Sequence, residues 1–202
     1  MDVSIQLLRG DKDEVVAATL RVAVAPAQVN EAEAVWGPFR KLATDQLKQR
    51  GVPATEIPEH AHWDWSLKSP ALELLAYRGF AIECDNETQG LMLLLLAGES
   101  CRLMPAKGKP LVYIDYIESA PWNIRKYVDP PRFREVGRVL VRTAVQTSIE
   151  EGFRGRIGLH SLPQSVGFYR DKIGMTMLGV DSAKKPLVYF EMTQEQAMRF
   201  TK

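Results

Sequence analysis

The sequence is poor in the residues that build disulfides and metal sites. Only two cysteines, Cys84 and Cys101, and three histidines occur in 202 residues. Two thiols in apolar surroundings suit buried, reduced side chains in a reducing compartment better than a disulfide scaffold. Excess charge of one sign is also missing, since 26 Lys and Arg stand against 25 Asp and Glu. That balance excludes a general attraction to nucleic acid or to an anionic membrane surface. Long apolar runs are absent: the longest, Leu91 to Ala97, is far short of the roughly 20 residues that span a bilayer. Met1-Asp2-Val3 puts no basic stretch ahead of an apolar one, so no secretory leader is expected. These absences point to a cytoplasmic protein with neither membrane nor nucleic acid as partner.

What is present suits one domain over residues 1–202. The chain is 46% hydrophobic and 25% charged, enough for a sizeable core. Val3–Leu8 and Val15–Ala25 read as a hairpin about Gly10-Asp11-Lys12-Asp13. Val29, Ala32, Trp36, Phe39, Ala43 and Leu47 make a helical face, with a kink or a break into two helices expected at Gly37-Pro38. Residues 52–69 read as irregular, followed by a short helix from Pro70 to Tyr77. Strands are expected at Phe80–Cys84, Gly90–Ala97, Leu111–Glu118, Arg156–His160 and Leu187–Met192. Leu91–Leu96 does not alternate, so its strand should be buried on both faces. Helices are expected at Val136–Glu151, Gln164–Lys172 and Thr193–Phe200. Early hairpins followed by strands that alternate with helices predict an α/β (α+β) fold, a mixed central sheet with helices on both faces.

The stretch from Leu111 to Met175 organises the chain. At its centre Arg134-Glu135-Val136-Gly137-Arg138-Val139 forms a glycine-bearing turn into an apolar helix. Such a turn presents unpaired backbone amides to an anion. From Ile124 to Arg156 there are eight basic and four acidic residues, so positive charge concentrates where a polyphosphate would sit. A helix with a solvated basic face is the plain alternative.

These residues resemble the GNAT superfamily of acyl-CoA-dependent N-acyltransferases. Its [Arg/Gln]-x-x-Gly-x-[Gly/Ala] motif is matched by Arg134 to Val139, with valine at the last position. Its Phe-Tyr-x-x-x-Gly-[Phe/Met] marker is matched by Phe168-Tyr169 to Gly174-Met175 with one extra residue before the glycine. The insertion Ser119–Phe133 is longer than the family usually carries, and Leu162 stands where asparagine is frequent. The resemblance implies an N-acetyltransferase that uses acetyl-CoA as acyl donor and a small-molecule or peptide amine as acceptor. Homodimers would be in keeping with it.

The site residues follow from that resemblance. Arg134, Val136, Gly137, Arg138 and Val139 would hold the pyrophosphate, and the backbone of Ile117 and Ser119 would orient the thioester carbonyl. Glu118 would take the amine proton, with Asp115 as second candidate, because a carboxylate in so apolar a strand has its pKa raised by burial. Tyr169 would protonate the leaving thiolate and line the donor site. Trp63, Trp65, Trp122 and Asn123 would wall the acceptor pocket, joined by Tyr116 if the rings converge. The plain alternatives are a salt bridge to a basic neighbour for the carboxylates, and packing for Tyr169 and for the tryptophans. Two rival functions stand beside this one. A non-catalytic acyl-CoA-binding module would have the same fold. A metal-dependent hydrolase would use His60, His62 and Asp64, which share a face only if that segment is a strand; no metal is expected.

Overall fold

The computed structural model describes residues 2–202. Among the described residues nine strands belong to a mixed sheet, accompanied by helices. The chain is built as two compact units: one holds everything up to Met92 together with Ile117–Gly137, the other Leu93–Tyr116 with Arg138–Lys202.

In the first unit β1 (Asp2–Arg9) and β2 (Val15–Val22) form the expected hairpin, in register from Asp2↔Arg21 to Leu8↔Val15. β3 (Tyr77–Cys84) pairs antiparallel with β2, and β4 (Glu87–Leu95) follows after Asp85-Asn86, both at positive φ. Asn and Asp tolerate that conformation, which is what a two-residue hairpin turn demands. Gly90 to Leu94 is buried residue after residue, the two-faced burial that the unbroken leucine run implied.

One helix, α1 (Pro26–Gln49), occupies the region where a kink or a break into two helices was expected at Gly37-Pro38, and of the two the break does not occur. Proline costs a helix interior about 3 kcal/mol. That cost is outweighed by the face α1 buries, namely Val29, Ala32, Trp36, Arg40, Ala43, Thr44 and Leu47. Arg40, not Phe39, takes the stripe position four residues after Trp36. Gly37 also has a purpose: a Cβ there would lie 2.8 Å from Glu33 Oε1, so the missing side chain leaves room for that carboxylate.

After α1 the chain makes four short 3₁₀ turns, Ala54–Glu56, Glu59–His62, Trp65–Leu67 and Ser69–Glu73. The last replaces the helix expected at Pro70–Tyr77, because Tyr77 already opens β3. The insertion after residue 119 is folded down by Trp122 and Asn123. The Trp122 indole N–H donates to Gln89 Oε1 at 2.8 Å, and the Asn123 amide to the same oxygen at 3.0 Å. A short strand the sequence did not announce, β6 (Phe133–Arg134), then pairs with β1.

In the second unit β5 (Val112–Ser119, which runs on into the first) lies parallel to β7 (Ile157–Ser161). β9 (Val188–Met192) is antiparallel to β7 and to β8 (Thr176–Val180). β8 was not expected: its glycine, Gly179 at φ +91°, reads as a loop signal but makes a bulge. α2 (Val136–Glu150) buries Leu140, Val141, Ala144, Val145 and Ser148. α3 (Gln194–Phe200) is capped by Thr193.

The expected helix at Gln164–Lys172 is present as a helical run that opens as a 3₁₀ turn, Pro163–Ser165, passes through Val166-Gly167 and ends as a π-helical turn, Phe168–Ile173. Gly174, left-handed at φ +79°, closes it by donating its N–H to the Tyr169 carbonyl. A π turn holds one more residue than an α turn. It thereby absorbs the extra residue between Tyr169 and Gly174.

Candidate functional site

The carboxyl of Glu118 sits near the end of β5, in the first unit, with its side chain 2% exposed. Its Oε2 accepts the Trp65 indole N–H at 2.6 Å. Its Oε1 has no hydrogen-bond partner. Facing that oxygen at 3.8 Å are Arg40 Nη1 and His60 Nε2, and His60 Nε2 is equally without a partner.

Arg40 comes from the buried stripe of α1 and is 1% exposed. It gives its hydrogen bonds elsewhere, to both oxygens of Glu33 (3.0 and 2.8 Å) and to the Trp63 carbonyl. Glu33 also accepts the Trp65 backbone N–H at 3.2 Å. One guanidinium thus lies near two carboxylates and satisfies Glu33. Desolvation pushes the Glu118 carboxyl up to about 7, opposed by the nearby Arg40 charge and the Trp65 hydrogen bond. Burial, aided by the Arg40 charge, takes the His60 imidazole down to about 4, so it is neutral at pH 7. This cluster therefore combines a carboxyl poised near neutrality with a neutral imidazole.

Sequence reading found Glu118 from its position, and placed Trp65 and Trp63 near a site. Trp65 is completely buried. Trp63 is half-buried, with Lys68 Nζ 5.0 Å over its ring and His60 5.9 Å away. Trp122, at 2% exposure, packs edge-on to Trp36 and Phe39. Trp65, Trp122 and Asn123 are thus engaged in packing and hydrogen bonding, not spread along an open wall. Arg40 and Glu33 were missed. The signal for Arg40 was a basic residue at a stripe position of an apolar helical face. His60 was noticed, but for a metal. That geometry is not formed: Glu59–His62 is a 3₁₀ turn, and Asp64 is turned onto the Ser66 amide at 2.8 Å. Among the described residues no group of three or more His, Cys, Asp or Glu side chains could hold a metal ion.

At the start of α2, Glu135 takes the left-handed conformation at φ +70°, and the helix begins at Val136. The glycine-like turn therefore falls on Glu135, while Gly137 is helical. A helix that begins at Val136 cannot pair the N–H groups of its first turn within itself. The Arg134 guanidinium pairs with Asp13, and its Nε is buried without a partner. Arg138 stacks over Phe200 at 5.5 Å.

The remaining predicted residues divide along β5 and into the second unit. Ile117, Ser119 and Asp115 are half-buried. The parallel register of β5 with β7 covers only Val112–Ile114 against Ile157–Leu159, and β5 continues five residues beyond it. Tyr169, 6% exposed, packs on Phe168 (5.1 Å) and Phe190 (5.8 Å). Burial holds its hydroxyl well above the usual tyrosine range, so it is a neutral donor. The same unit holds a chain of side chains that sequence reading did not assemble. Tyr113 Oη lies 2.7 Å from His160 Nδ1, and His160 Nε2 lies 3.0 Å from Asp181 Oδ2. Arg102 donates to Asp181 at 2.8 Å. Every partner in that chain is satisfied.

No protein-family model matches the sequence, and no curated protein matches it by sequence. Solved structures do match the fold. An aminoglycoside acetyltransferase AAC(6')-Ib in complex with coenzyme A is 16% identical, with 90% of this chain and 98% of that one covered and a TM-score of 0.53. PaiA N-acetyltransferase from Thermoplasma acidophilum, also with coenzyme A, is 12% identical over 86% and 98%, at 0.50. A histone acetyltransferase HPA2-related acetyltransferase from Corynebacterium glutamicum is 14% identical over 93% and 96%, at 0.50. The chain has the GNAT fold, the architecture of the acyl-CoA-dependent N-acyltransferases.

Proposed function

We propose that the chain is an N-acetyltransferase, one functional domain moving an acetyl group from acetyl-CoA to the amine of a small molecule. The observation that carries the reading is the GNAT fold with α2 beginning at Val136. The N–H groups and positive dipole end of a helix start suit a pyrophosphate. Coenzyme A in two of the similar structures, and kanamycin beside it in a further AAC(6')-Ib structure, support the donor and the acceptor class. The backbone from Glu135 to Val139, around Gly137, binds the pyrophosphate, with Arg134 and Arg138 as its cations. Ile117 and Ser119 orient the thioester where β5 outruns its pairing with β7. Glu118 is the proton acceptor, Asp115 a weaker candidate, and Tyr169 donates a proton to the departing thiolate. Trp63 is the ring of the acceptor wall best placed to meet an amine. Two buried free thiols suit a cytoplasmic setting, and a homodimer remains part of this reading.

The test is free-thiol release from acetyl-CoA against kanamycin, a lysine-containing peptide and a simple alkylamine. Amine-dependent release that Glu118→Gln lowers by about 10²–10⁴ is expected. One observation favours a second reading: Glu118 is enclosed. A binding module without turnover would take up acetyl-CoA, release no thiol with any amine, and be indifferent to Glu118→Gln.

A further inference from the structure

Glu118 cannot meet an amine arriving from solvent in the state described, since its side chain is 2% exposed. Oε2 is taken by Trp65, and Oε1 is turned toward Arg40 and His60. Of these neighbours, Trp65 is a donor only, and a guanidinium has donors but no acceptor. His60 alone can both accept and give up a proton. Its side chain is 19% exposed, its Nε2 is unpartnered, and that nitrogen faces the unpartnered Oε1 at 3.8 Å.

We propose that His60 is the proton relay between the acceptor amine and Glu118. This rests on the acyltransferase reading above. An ammonium N–H bond breaks and its proton goes to His60 Nδ1. The proton on Nε2 passes to Glu118 Oε1, leaving a neutral imidazole, a carboxylic acid and a free amine lone pair for the thioester carbon. His60 begins and ends neutral, as its burial and the nearby Arg40 charge require. The transfer needs the 3.8 Å gap to close by about 1 Å, to ordinary hydrogen-bond length. Trp65 holds the other oxygen, Oε2, while Arg40, pinned by Glu33 and the Trp63 carbonyl, stays beside Oε1. The other charged or titratable groups that act on the pair are Glu33, His62, Lys68 and Tyr127.

The experiment has two arms. In the first, acetyl transfer to the best amine of the panel is followed for His60→Ala, Glu118→Gln and the double variant, with and without added imidazole. His60→Ala falls about 100-fold and recovers with imidazole. Glu118→Gln is not rescued, and the double variant is no slower than the worse single one. A wild-type rate in His60→Ala, or a loss that imidazole leaves untouched in a folded variant, overturns the relay. In the second arm, ¹⁵N-His and ¹³C-Glu resonances are titrated in the protein without donor or amine. The His60 nitrogens should move over the same pH range as the Glu118 carboxyl, and a flat His60 signal overturns the relay. Wild-type protein inactive with every amine removes the acyltransferase reading, and the second arm still decides whether the two groups exchange a proton.

Discussion

Glu118 binds its proton more tightly folded than unfolded, because its carboxyl rises from 4.5 to about 7 on burial. Between those values the native state holds more protons than the unfolded chain, so stability falls as pH rises from about 4.5 to about 7. Glu118→Gln should remove that slope, worth at most about 3 kcal/mol, in denaturant midpoints compared at pH 5 and pH 8. An unchanged slope would mean that Glu118 does not titrate in this window. Trp65→Phe removes the donor on Oε2 that favours the carboxylate. It should therefore move the Glu118 titration to higher pH, read from its ¹³C carboxyl resonance. Glu118 itself was legible in the sequence because a lone carboxylate near the end of an apolar strand needs a reason. Its partners were not: Arg40, Glu33 and His60 come from α1 and from a 3₁₀ segment, and only the tertiary fold gathers them.

At the scale of elements, the same cluster ties α1 to the 3₁₀ segment after it, through Arg40 to the Trp63 carbonyl and Glu33 to the Trp65 amide. Arg40→Met strands Glu33 without its cation, and breaking a buried pair from one side costs about 3–5 kcal/mol. Thermal unfolding should show that loss, and limited proteolysis should cut first within residues 54–73. The π turn carries a second prediction. Gly174→Ala places a Cβ at φ +79°, which should cost about 1 kcal/mol in chemical unfolding. Most elements were readable from period and punctuation, including the hairpin, β4 and α2. Errors arose where tertiary burial overruled a local signal. α1 does not divide into two helices at Pro38, because its buried face outweighs one lost hydrogen bond, and β8 forms with Gly179 inside it. The extra residue before Gly174 was visible, but the π turn that holds it was not, because spacing alone does not say how a surplus residue is housed.

For the molecule as a whole, the order of elements and two short motifs were enough to anticipate the GNAT fold. The similar structures share only 12–16% of their residues with this chain, so motif spacing carried what overall identity could not. Among the described residues no helix is long and apolar enough to cross a membrane. The acceptor was not legible, since Trp65 and Trp122, read as pocket walls, are core residues in the fold. The central claim is that the start of α2 takes the pyrophosphate of an acyl-CoA. The most direct measurement is isothermal titration of the protein with acetyl-CoA and, separately, with acetyl-pantetheine, which lacks the pyrophosphate and the 3′-phosphoadenosine. The account predicts tight binding of acetyl-CoA, weakened at least tenfold when both Arg134 and Arg138 are replaced by Gln, and little or no binding of the fragment. Equal affinity for the two compounds, or no heat with acetyl-CoA in protein shown to be folded, would contradict it.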